Sequence, residues 1–80
     1  MDNSTMEANR FYRWAKARHK HRLIVQHLHS GGKVVIATYT HATVYTQQHA
    51  DIFKATKSGL YVRARKRWDC LDFSTIKLVT

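Results

Sequence analysis

Six histidines and one cysteine stand in these 80 residues, and His19 with His21 and His27 with His29 have His-x-His spacing. On a strand that spacing sets two imidazoles on one face and could begin a metal site. On a helix, positions i and i+2 point about 200° apart and cannot share an ion. Both pairs lie in a stretch that reads as helix, and no carboxylate or second thiol stands near to complete a shell. The sequence therefore points to no metal and no cofactor. These histidines are expected to add positive charge in mild acid and to hydrogen-bond to phosphates or backbone.

Nucleophilic chemistry has equally little support. Cys70 lies between Asp69 and Leu71, and acidic neighbours disfavour a thiolate; a buried structural cysteine is expected. Asp51, Asp69 and Asp72 are the acids of the C-terminal half, expected to pair with nearby Lys and Arg. The sequence has no Gly-rich phosphate loop, G-x-S-x-G elbow or H-E-x-x-H pair. The expectation is a non-enzyme with no catalytic residues.

The cations carry more information. Arg10, Arg13, Lys16, Arg18, Lys20 and Arg22 place six positive charges within thirteen residues, with no acid among them. A solvated helix normally mixes signs to gain i,i+4 pairs. This stretch forgoes them, as a phosphate-binding surface would. The second cluster is Arg63-Ala64-Arg65-Lys66-Arg67-Trp68, preceded by Tyr61. On a strand, Tyr61, Arg63 and Arg65 share a face, with Lys66 and Arg67 at the adjoining turn. An aromatic among cations on a sheet face can stack an unpaired base while the cations hold the backbone. The competing reading puts Tyr61 and Trp68 in the core and leaves the cations to protect an edge strand. Trp68 alone is expected inside, because a small domain needs large apolar side chains.

The composition agrees with a charged partner. Fourteen Lys and Arg against five Asp and Glu give a net charge of +9 and a pI near 10.2, a bias that calls for a polyanion or an acidic protein surface. Hydrophobic residues at 44% argue against wholesale disorder. A chain of this size buries only about 60% of its unfolded surface, so its stability margin is thin. One cysteine excludes an intramolecular disulfide. No apolar run approaches the ~20 residues of a membrane span, and Met1 to Thr5 lack a signal-peptide layout. Association with anionic membrane is disfavoured because Arg18 and Arg22 interrupt the apolar stripe of the helix. A cytoplasmic protein is expected.

Two segments must position these groups, 1–30 as a basic helix and 33–80 as an antiparallel sheet, together forming one domain. Before Gly31-Gly32 the chain has no Gly or Pro and is rich in helix formers. Ser4 and Glu7 have capping-box spacing. Phe11, Trp14, Ala15, Arg18, Arg22, Val25 and Leu28 fall on one stripe, predicting a helix from about Ser4 to Leu28 with that stripe inward. Leu23 to Val25 would also suit a strand. After the glycines, Val34 to Thr40, Thr43 to Thr46, Leu60 to Ala64, Trp68 to Leu71 and Thr75 to Val79 read as strands, the first buried on much of both faces. Asp51 to Ala55 suits a strand or a helical turn. The predicted class is α+β, with the sheet curled into a partly closed SH3-like or similar small barrel.

The leading expectation is a nucleic-acid-binding module, of DNA or RNA, with low sequence preference. Its contacts would come from Arg10, Arg13, Lys16, Arg18, Lys20 and Arg22 and from Tyr61, Arg63, Arg65, Lys66, Arg67 and Trp68. The alternative is a small accessory or inhibitor protein, of the kind found among phages and mobile elements, that binds an acidic protein surface.

Overall fold

The structure is a computed structural model that describes the backbone of residues 3–80 and the side chains of residues 11–80. The Ser4–Glu7 capping box and the Arg10 side chain lie outside the described residues. Helix α1 spans Asn3–His29 and is followed by six strands: β1 (Lys33–Ala37), β2 (Ala42–Tyr45), β3 (Phe53–Thr56), β4 (Gly59–Ala64), β5 (Arg67–Leu71) and β6 (Ile76–Val79). They form two antiparallel three-stranded sheets, ordered β2-β1-β6 and β3-β4-β5. The α+β class is as expected. Among the described residues no strand of one sheet pairs with a strand of the other, so the two sheets do not close into a hydrogen-bonded barrel.

The helix ends where its glycines dictate. Gly31 takes φ +93°, its N–H donates to the Leu28 carbonyl (3.1 Å) and Gly32 N–H donates to the His27 carbonyl (2.9 Å). This is a Schellman stop, which satisfies two otherwise orphaned helix carbonyls. The turn also brings Gly32 beneath the His27 imidazole, so a Cβ at Gly32 would overlap that ring. His27 donates from Nε2 to the Val79 carbonyl (2.6 Å), tying α1 to an edge strand of the first sheet. Gly32→Ala is therefore expected to displace the ring, break this bond and cost about 2–4 kcal/mol. At Gly31 a Cβ meets open space, and only the left-handed backbone strains the substitution, by about 1–2 kcal/mol. Thermal melts of the two variants check this order, and a larger loss at Gly31 would contradict it.

His21 makes the matching tie to the second sheet, donating from Nε2 to the Phe53 carbonyl on β3 (3.0 Å). Ala17, Ile24 and Leu28 of α1 are fully buried and pack with Val34 and Ile36 of β1, Phe53 of β3, Leu60 and Val62 of β4, and Ile76 of β6. The inward face is thus Ala17–His21–Ile24–Leu28, about a quarter turn from the expected stripe. Phe11 is 67% exposed, and Ala15, Arg18 and Arg22 face solvent. The physical reason is His21: a histidine whose polar atom has a carbonyl partner can occupy a half-buried position as an apolar residue would. At ~1.5 Å per residue α1 is about 40 Å long, nearly the 44 Å length of the molecule.

Two local expectations, the extent of β1 and the place of Arg65, are also corrected, and the open reading of Asp51 to Ala55 is resolved. β1 stops at Ala37 because Thr38 and His41 close a turn, Thr38 N–H donating to the His41 carbonyl (2.8 Å). The strand is fully buried on one face only, through Val34 and Ile36. Residues Gln47–Ile52 form a 3-10 helix before β3 begins, its start held by Thr46 N–H donating to His49 Nδ1 (3.0 Å). Arg65 is not on a strand face: it takes φ 58° in the turn joining β4 to β5.

Candidate nucleic-acid interface

The β3–β4–β5 sheet has an inner and an outer face because side chains alternate along each strand. Leu60 and Val62 point inward and are buried, so Tyr61 and Arg63 point outward. The register sets Lys54 opposite Tyr61, Tyr61 opposite Cys70 and Arg63 opposite Trp68. Lys54, Tyr61, Arg63, Trp68 and Cys70 consequently share the outer face. The Lys54 ammonium lies 4.1 Å from the Trp68 ring centroid and 5.8 Å from that of Tyr61, within cation–π range of both rings. The Tyr61 hydroxyl hydrogen-bonds to Ser58 Oγ (2.7 Å), which fixes the phenol at one end of the patch.

Two expectations about β5 are overturned here. Trp68 is 41% exposed, not in the core, and Cys70 is exposed, not buried. Pairing Leu71 with the fully buried Leu60 sends Leu71 and Asp69 inward and Trp68 and Cys70 outward. Asp69 pairs with Arg67 (3.0 Å) and is only half-exposed. Burial and, less, the Asp69 carboxylate raise the Tyr45 phenol above its ordinary range, and the ring packs edge-to-face on Phe53 (5.2 Å).

The helix cations divide between two flanks. Arg18 and Arg22, one turn apart, border a groove between α1 and β3 that Lys54 also lines, so Lys54 links these two cations to the outer face of the sheet. Arg13 lies on the opposite flank, near Gly59 and Phe73, and the Lys16 ammonium sits 5.8 Å from the Phe73 ring. Lys20 is half-buried. Arg65, Lys66 and Arg67 are exposed at the β4–β5 turn, at the far end of the strand that carries Arg63. Of the expected contact residues, the structure thus groups Tyr61, Arg63 and Trp68 on the outer face, with Arg18 and Arg22 beside its Lys54 edge and Arg13 near Cys70 on the other flank of α1.

Lys54 is the member that sequence reasoning missed. The signal was present: a two-residue turn at Lys57-Ser58 pairs Thr56 with Gly59 and so sets Lys54 opposite Tyr61. One member of each His-x-His pair is bonded to the backbone of a strand. His21 and His27 are committed to carbonyls, and no metal-ligating cluster occurs among the described residues. No helix of the described residues is long and apolar enough to cross a membrane. Compared with family models, curated proteins and solved structures, the chain matches none of them.

Proposed function

We propose that this protein is a non-catalytic nucleic-acid-binding module of low sequence preference. The observation that carries the reading is the cationic aromatic face of Lys54, Tyr61, Arg63 and Trp68, extended by Arg18 and Arg22 on one side and the Arg65 to Arg67 turn on the other. Cations spaced over such a surface neutralise phosphates and release condensed counterions, which supplies affinity without reading sequence. Exposed rings beside them offer stacking planes that every base can use. A solvated face does not need two aromatic rings brought onto one Lys side chain. A single exposed thiol suits a reducing compartment such as the cytoplasm.

Gel-shift series with single- and double-stranded DNA and RNA test the reading. Tyr61→Ala is expected to weaken single-strand binding by about 1–3 kcal/mol, the worth of one base–aromatic stack, with a smaller effect on duplex. Equal losses on both substrates together with a lowered melting temperature would instead make Tyr61 a structural residue. A folded protein that leaves all four nucleic acids free but is captured by an acidic protein surface would replace this function with the inhibitor-type one.

A further inference from the structure

The groove between α1 and β3 has a volume of about 590 Å³, within the range of small-ligand sites. Trp14 and Val25 form its helix wall, Phe53 and Ala55 its strand side, and Arg18, Arg22 and Lys54 its rim. The Arg18 guanidinium lies 5.0 Å from the Trp14 ring centroid, and no acidic residue lines the groove. The His21–Phe53 hydrogen bond ties α1 to β3 across the floor, so the groove is formed before anything enters it.

We infer that this groove takes an unpaired nucleotide of single-stranded nucleic acid, an inference that rests on the proposed function and narrows it to single strands. The Trp14 ring beside a guanidinium plane suits a base, because unpaired bases stack on aromatic rings and on Arg planes alike. Arg22 and Lys54 stand on opposite lips, where the flanking phosphates of a threaded strand would pass. A duplex keeps its bases stacked inside and meets only the rim cations. Lys54 lines the groove and ends over Trp68 on the outer face, giving one strand a continuous path from Trp14 to Tyr61. An acidic peptide would satisfy the rim but leave the Trp14 plane unused.

The test is fluorescence anisotropy at ~50 mM salt with labelled oligo(dT), a blunt duplex of the same phosphate number, and a polyglutamate of matched charge. Val25→Trp fills the groove without changing charge, and Trp14→Leu removes the plane; circular dichroism and a thermal melt check that each folds, and Val25→Ile serves as the mild control. The wild type is expected to bind oligo(dT) at least about 5-fold more tightly than duplex. Each groove variant is expected to lose about 5- to 150-fold on oligo(dT), the equivalent of one stack, and to keep duplex affinity within about twofold. Retained duplex binding with no single-strand preference, or variants that leave oligo(dT) binding unchanged, would overturn the groove inference while the phosphate-binding function stands. Polyglutamate bound as tightly as oligo(dT) would overturn it in favour of charge alone. Loss of both nucleic acids in the folded wild type would remove the function itself.

Discussion

Replacing Ile24 by Ala is expected to lower stability by about 2–5 kcal/mol, the range for emptying a fully buried aliphatic site. Ile24 is fully buried and packs in the one cluster that joins α1 to both sheets. Domains have only about 5–15 kcal/mol to lose, and one this small sits low in that range, so the variant is expected to be partly unfolded at ambient temperature. Arg22→Ala, two positions earlier on the outer flank, is expected to change stability by no more than about 0.5 kcal/mol. Urea titrations of both variants measure the contrast. An Ile24→Ala loss below about 1 kcal/mol, or an equal loss at Arg22, would mean that α1 buries a different face.

The second large effect is on binding. Removing Lys54, Arg63 and Arg67 together, each to Ala, is expected to cut the salt dependence on duplex DNA by about three phosphate contacts, or about 2.7 in log–log slope. The fold is expected to survive, because Arg63 and Arg67 are exposed and the Arg67–Asp69 pair is of the exposed kind that contributes little. The double variant Arg13→Ala/Lys16→Ala serves as the comparison. Its side chains lie on the flank beside Phe73, and it is expected to change the slope by less than one contact. Reversed results would move the interface to the opposite side of the helix.

Much of this architecture was legible in the amino-acid pattern. The change from helical to alternating periodicity at Gly31-Gly32 marks the real junction, because a left-handed Gly31 is what a Schellman stop requires. Tyr61 and Arg63 alternate with Leu60 and Val62 as expected for a half-buried strand. What periodicity could not reveal was set by tertiary partners. His21 looks polar in sequence, yet its bond to Phe53 lets it face inward and turns the whole helix by about a quarter. Trp68 and Cys70 face out because Leu71 must meet Leu60 across the sheet, and no local preference of Trp or Cys competes with that register. The Thr46–His49 bond that starts the 3-10 segment depends on a side-chain contact that composition does not announce. Lys54 joins the site only through strand pairing, so the cationic aromatic face was half visible: its β4 and β5 members in the sequence, its centre in the fold.

The most direct test of the central claim is a salt titration of wild-type binding to duplex and single-stranded DNA. With about five phosphates neutralised, the log–log slope is expected near −4.5 on duplex and near −3.5 on single strands, so raising salt from ~50 to ~200 mM weakens binding about 500-fold and about 130-fold respectively. The slopes are expected to be nearly independent of sequence, since the contacts are to backbone. A folded protein that retains neither substrate at ~50 mM salt, or whose binding is insensitive to salt, would contradict the account.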